Sequence, residues 1–198
     1  MPKATFLNLP AKKQTEISEI LLHAFSEKHA SLVTVAEIVT EMKMSRSAFY
    51  KYFEDLADAY AYIVEKYSIA LHGTILKQIM AHKSNFFDGI RAYLLQCTQA
   101  EVGGHDWQVI KFLTIVDSTQ RGQRLEISHN QSILQRWTEV LELNHFKIAN
   151  QAEGISFLYF MMDMTQNLLA DYLVNDWSEE ELIQDYDFKI KWLVKGLV

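Results

Sequence analysis

From Ala11 to Val198 the chain contains no proline, its only two being Pro2 and Pro10. A stretch of that length with nothing to break the i→i−4 hydrogen-bond ladder is open to helix throughout. Apolar residues recur at three- and four-residue spacings almost everywhere and strand-like alternation is scarce, so the chain reads as all-α. About nine helices are expected, near residues 10–28, 34–41, 45–52, 55–82, 84–101, 105–118, 124–143, 149–175 and 178–196. The first carries Ile17, Ile20, Leu21, Ala24 and Phe25 on one stripe; the long fourth carries Leu56, Tyr60, Ile63, Tyr67, Leu71 and Ile75. Breaks are marked by Gly103-Gly104, Gly122 and Asn144, and Ser178 with Glu181 has the spacing of a capping box.

Composition narrows the classes. Hydrophobic residues make up 49% of 198, enough for a substantial core. No apolar run reaches the ~20 residues that cross a bilayer, and the first residues lack the apolar run of a signal peptide. Cys97 is the single cysteine, so no internal disulfide forms. The expectation is a soluble cytoplasmic protein with no membrane partner.

The net charge of −6 argues against indiscriminate nucleic-acid binding, but the charge is unevenly spread. Residues 1–56 hold seven Lys/Arg and seven Asp/Glu, whereas 57–198 hold twelve and eighteen. Two domains with that boundary are expected. Between Met42 and Phe53 stand Lys43, Arg46 and Lys51 with no acid. Such a window suits a docking surface for a polyanion, and it equally suits an ordinary solvated face.

The order of residues favours the first, against a surface helix with two buried phenylalanines and an accidental absence of acids. Thr34-Val-Ala-Glu-Ile-Val-Thr-Glu, then Met-Lys-Met, then Ser45-Arg-Ser-Ala-Phe-Tyr-Lys-Tyr-Phe gives a short helix, a three-residue turn and a second helix capped by Ser45. That is a helix-turn-helix arrangement. At 100° per residue Phe49 and Phe53 point inward with Ala48 alongside. Ser47, Tyr50 and Lys51 point outward, Arg46 flanks them and Tyr52 lies on the border. Arg and Ser suit base edges, while Tyr and Lys suit phosphates. An acid on this face would be repelled by the duplex.

The segment Thr34 to Phe53, with a helix before it and a long one behind, resembles the DNA-binding domain of the tetracycline-repressor-like (TetR) regulators. The family pattern is a Thr-led helix, an Ile-Ala or similar pair, a Gly-containing turn, a hydroxyl residue, a small residue and Tyr-x-His/Tyr-Phe. Here it is met by Thr34, Ile38-Val39, Ser45, Ala48 and Tyr50-Lys51-Tyr52-Phe53. The chain departs at Lys43, where the turn usually has glycine, and at Leu56, where a lysine is common after the phenylalanine; Glu54 and Asp55 precede Leu56. Lys43, or Lys12 and Lys13, would compensate for the missing cation. The resemblance implies a transcriptional regulator, a repressor that binds a palindromic operator of double-stranded DNA. Arg46 and Ser47 would meet base edges; Thr34, Tyr50, Lys51 and Tyr52 would meet phosphates; Lys43, Ser45 and Ala48 complete the site.

The same resemblance implies that residues 57–198 sense an effector and form a homodimer through the last two helices. The run from Gly154 to Met164 is apolar nearly all round, and the final helix (Leu182, Ile183, Tyr186, Phe188, Ile190, Trp192, Leu193, Leu197) is too apolar for a solvent face. Candidates to line a pocket for a small apolar or aromatic effector are Tyr93, Cys97, Trp107, Phe112, Trp137, Phe160, Met161 and Met164. Such residues at helical spacing are more often plain core. Arg91, Arg121, Arg124 and Arg136 are candidates to meet an anionic ligand, although arginines so placed are more often surface residues.

No cofactor is expected and no motif supports an enzyme: the chain lacks a phosphate-binding glycine loop, a His-Glu-x-x-His and a Gly-x-Ser-x-Gly. Two Glu-x-x-His pairs, Glu126/His129 and Glu142/His145, are the spacing used in di-iron bundles. On one helix they would stand roughly 24 Å apart and could not share a metal pair. The remaining alternative is a helical protein-interaction module on the same fold, its operator-binding surface weakened by the acids at 54–55.

Overall fold

The computed structural model describes residues 1–82, 85–115 and 131–196, and the side chains of all of these except 115 and 131–133. Among them are ten α-helices, one short 3-10 turn and no strand: α1 Ala4–Leu7, α2 Ala11–Glu27, α3 Val35–Glu41, α4 Arg46–Tyr52, α5 Leu56–Ala81, α6 Phe86–Thr98, α7 His105–Ile115, α8 Gln131–Leu143, α9 Gln151–Val174 and α10 Glu179–Lys195. The protein is all-α, as its periodicity predicts. One helix was not foreseen: α1, only four residues long, is too short to carry a periodic signal. The expected break at Gly122, the start of the seventh expected helix, Arg121, Arg124 and the Glu126/His129 pair lie outside the described residues.

The chain forms two compact units: Met1–Leu71 with Glu101–Ile115, and His72–Ala100 with Val116–Val198. In the first, α7 packs along α2. Phe6, Ile17, Leu21, Leu22, Phe25, Ile38, Phe49, Phe53, Ala59, Ile63 and Phe112 make its core. Removing an aromatic of this kind from water contributes about 2–3 kcal/mol. Glu19 of α2 ties the same elements together at the polar edge of that core. It accepts from the Tyr67 hydroxyl at 3.0 Å and meets His105 Nδ1 at 2.8 Å. Burial and the Glu19 carboxylate both push the Tyr67 phenol up, so it stays a donor.

The second unit sets α6 against α9 and α10. Phe86 is buried among Trp137, Phe146 and Phe157, and its backbone N–H donates to Asn144 Oδ1 at 2.7 Å. Gly89 lets α6 approach α5: a Cβ there would stand 2.5 Å from Ile79 Cα. Trp137 Nε1 donates to the Gly154 carbonyl at 2.8 Å, and the Tyr186 hydroxyl to the Phe87 carbonyl at 2.6 Å. The capping box expected at Ser178 and Glu181 is present.

Three helices end on a left-handed residue that is not glycine: Lys43 (φ 53°) after α3, His145 (φ 54°) after α8 and Asp176 (φ 51°) after α9. Each closes its helix by a 6→1 bond. Met44 N–H donates to Val39 O at 2.9 Å, Phe146 N–H to Leu141 O at 3.1 Å and Trp177 N–H to Tyr172 O at 3.1 Å. These are Schellman terminations, in which glycine is the usual left-handed residue. α8 ends at Leu143, so the break expected at Asn144 is present, with His145 as the left-handed residue after it.

Candidate nucleic-acid interface

The helix-turn-helix is built from local capping. Thr34 Oγ1 accepts from Glu37 N–H at 3.4 Å, and Glu37 Oε2 accepts from Thr34 N–H at 3.2 Å, closing a capping box. Lys28 reaches the same carboxylate at 2.7 Å. Its ammonium, with the Thr34 N–H, holds Glu37 below the ordinary glutamate value. The Thr34 hydroxyl accepts in this box and keeps its own proton free to donate outward. After the turn at Lys43, Ser45 Oγ caps α4 by accepting from Ala48 N–H at 3.2 Å, and it lies 2.8 Å from Ser47 Oγ.

α4 has two faces. Phe49 and Phe53 are fully buried. Arg46, Ser47, Tyr50 and Lys51 are exposed, as are Thr34, Lys43 and Ser45, while Ala48 and Tyr52 are half-buried. Neither Arg46 nor Lys51 is held by an ion pair or hydrogen bond to any described residue. A cation with no internal partner has only its hydration, and no protein contact, to give up on meeting a phosphate or a guanine edge. Ser47 differs, because its hydroxyl is shared with Ser45. Of the two compensating lysines on α2, Lys12 is exposed and Lys13 is held by Glu16 at 3.0 Å.

The acids that follow α4 have local roles. Asp55 Oδ1 accepts from Asp58 N–H at 2.8 Å and so caps α5, while Asp58 Oδ2 accepts from Glu54 N–H at 3.0 Å. Burial alone would raise the Asp58 pKa. The Met1 ammonium and the Glu54 N–H outweigh it and hold the carboxyl below the ordinary aspartate value. Leu56, the first residue of α5, is half-buried.

Residues 3–9 also belong to this site, and sequence reasoning missed them. Lys3 N–H donates to Tyr52 O at 2.8 Å and Lys3 Nζ to Tyr50 O at 2.9 Å. Phe6 is buried against Tyr52, Phe53 and Tyr62. No pattern within residues 1–9 signals this, since Phe6 acts through distant partners.

The candidate effector residues fall in both units. Trp107 and Phe112, on α7, belong to the first: Phe112 packs edge-on to Tyr60, and Lys111 Nζ lies 4.9 Å from the Trp107 ring centre. The other six belong to the second. Tyr93, Cys97, Trp137, Met161 and Met164 are buried, whereas Phe160 is 49% exposed. The Tyr93 hydroxyl is buried without a hydrogen-bond partner of acceptable geometry; burial pushes its pKa up, and the neighbouring Cys97 thiol adds to the effect. A groove of about 340 Å³ between the end of α8 and the start of α9 is lined by Trp137, Leu141, Glu142, His145, Phe146 and Ile155 among others. Trp137 is its one lining residue from the candidate set. Arg91 is half-buried, 3.6 Å from Asp187, and Arg136 is exposed. No cluster of three metal-ligating side chains occurs among the described residues.

Residues 85–197 match the tetracyclin repressor-like C-terminal domain, a span of more than half the chain. The chain belongs to the TetR family. TetR-family proteins are transcriptional regulators, and the fold agrees. It is similar to a TetR-family regulator from Chloroflexus aurantiacus J-10-FL at 18% identity, with 97% of this chain and 90% of that one covered and a TM-score of 0.55. A putative TetR-family regulator from Syntrophomonas wolfei str. Goettingen is similar at 14% identity, with 94% and 97% covered and a TM-score of 0.63. The fatty acid degradation regulator FadR from Bacillus halodurans is similar at 11% identity, with 90% and 94% covered and a TM-score of 0.61. At these identities the likeness is one of fold. No curated protein matches the chain. Among the described residues no helix is long and apolar enough to cross a membrane.

Proposed function

We propose that this TetR-family protein is a ligand-responsive repressor that binds a palindromic DNA operator as a homodimer. Residues 1–56 bind DNA; residues 57–198 hold the effector and dimerise. The observation that carries this reading is the outer face of α4, where Arg46, Ser47, Tyr50 and Lys51 stand exposed with no acid among them. Arg46 and Ser47 take base edges, and Thr34, Tyr50, Lys51 and Tyr52 take phosphates, with Lys43 at the turn adding a further cation.

The dimer is supported by apolar side chains that one chain leaves in water. Phe160 on α9 and Phe188, Trp192 and Leu193 on α10 are all at least 40% exposed, and the Phe188 and Trp192 rings stack with centroids 6.4 Å apart. Two-fold pairing through α9 and α10 would cover them and present two recognition helices to half-sites roughly 34 Å apart. A small apolar or aromatic effector would act by preferring the conformer with mis-spaced recognition helices, lowering operator affinity by its differential affinity for the two states. The function is one of binding and not of catalysis.

Selection of binding sites from a random duplex pool tests the reading. The expected result is an enriched palindrome with half-sites about one helical turn apart. A folded dimer that enriches nothing, with or without candidate effectors, would favour a protein-interaction role. On the selected site, Arg46→Ala should relax sequence preference at one position. Lys51→Ala should instead weaken all duplexes alike and reduce the salt slope by about one.

A further inference from the structure

The recognition helix lacks an end of its own making. α3, α8 and α9 each close by turning the following residue left-handed, so that the next N–H groups return to the last carbonyls. α4 does not: Phe53 leaves in extended backbone (φ −127°, ψ 150°) and returns a single bond, Phe53 N–H to Phe49 O at 3.0 Å. A seven-residue helix with unpaired carbonyls at its end does not hold its shape unaided. Two of those carbonyls, Tyr50 O and Tyr52 O, are taken from outside the helix by Lys3 Nζ and Lys3 N–H.

The segment that supplies Lys3 is itself anchored. Phe6 is fully buried, 5.0 Å from the Phe53 ring centre and 5.1 Å from that of Tyr62 on α5. Gln14 Nε2 of α2 donates to Leu7 O at 3.0 Å and Leu9 O at 2.8 Å. Residues 3–9 are thus fastened to α2 and α5 on one side and grip the last turn of α4 on the other.

We infer that Lys3 is a positioning residue for operator recognition: it supplies the C-terminal cap that α4 lacks and so fixes the angle at which Tyr50 and Lys51 are presented. Its ammonium also lies where the helix dipole favours a cation. The inference rests on α4 being the recognition helix, and it gives residues 3–9, outside the helix-turn-helix, a share in affinity.

The test compares the full-length protein with Lys3→Met, which keeps the aliphatic chain and loses the ammonium, and Lys3→Arg, which restores the cation. Amide hydrogen exchange is read at Tyr50 to Phe53 and affinity for the selected operator is measured across a salt series. Lys3→Met should exchange about two- to fivefold faster at those amides, the size expected of one exposed cation at a helix C-terminus. It should bind more weakly with the salt slope unchanged, and Lys3→Arg should recover both. Unchanged exchange in Lys3→Met overturns the inference. So does a salt slope lower by about one, which would make Lys3 a phosphate contact and not a cap. The exchange measurement needs no DNA, so a protein that bound no duplex would sink the operator reading and still leave the cap to be judged.

Discussion

Replacing Lys43 by glycine should make this protein more stable, although lysine there is a natural residue with an exposed side chain. Lys43 sits at φ 53°, and its backbone is fixed by two bonds that any residue would make: its own N–H to Thr40 O at 3.1 Å and Met44 N–H to Val39 O at 2.9 Å. The left-handed conformation costs a residue with a Cβ about 1–2 kcal/mol. Glycine avoids that cost but loses more chain entropy on folding, offsetting about 0.4–1 kcal/mol. The midpoints of those ranges leave a net gain for Lys43→Gly of about 0.8 kcal/mol. Lys43→Ala keeps the Cβ and gains nothing, which makes it the control. With a urea slope of about 2 kcal/mol per molar, the glycine variant should unfold roughly 0.3–0.5 M later than either the parent or the alanine variant. If Lys43 also meets a phosphate, both variants should lose the same DNA affinity while differing in stability. A glycine variant no more stable than the alanine variant would refute the argument from strain.

Other perturbations separate local roles from functional ones. Asp55→Ala should cost about 1 kcal/mol by removing the α5 cap, while Asp55→Asn should keep the cap, remove a charge beside the recognition helix and tighten duplex binding; denaturation and binding titrations read the two effects. Because Lys28 and the Thr34 N–H hold Glu37 below the ordinary glutamate value, its folded pKa lies below its unfolded one. Its contribution is therefore present at neutral pH and lost as pH falls through that depressed value. Glu37→Gln should be less stable at pH 7 and show a shallower acid loss in urea titrations repeated from pH 7 to pH 3. If α9 and α10 form the proposed dimer interface, Trp192→Asp should leave a monomer in sedimentation equilibrium while the chain stays helical by circular dichroism.

How much of this was legible depended on range. The helix-turn-helix was readable because each signal is local. Thr34 and Ser45 are hydroxyl residues placed to cap, and Phe49 and Phe53 sit one turn apart. Capping at Ser178 was readable for the same reason. The ends of α3, α8 and α9 were less so, since the residues that turn left-handed are Lys43, His145 and Asp176, and the usual glycine marker is missing. α1 was invisible because Phe6 finds Tyr52, Phe53 and Tyr62 across more than forty residues of chain. The eight pocket candidates were chosen for apolar spacing alone. Spacing could not say that Trp107 and Phe112 would join a different compact unit from the rest, or that Phe160 would face outward.

The placement of the tryptophans has a spectroscopic consequence. Of the four in the chain, Trp137 is buried with its indole N–H bonded to Gly154 O, whereas Trp192 is 47% exposed and stacked on Phe188. An indole in water emits at longer wavelength than one in a dry interface, so covering Trp192 would shift its emission to the blue while Trp137 stayed constant. The first unit holds one tryptophan, Trp107 on α7, and α4 itself holds none. Dilution of the unlabelled protein would then report dissociation of the proposed dimer by its own fluorescence.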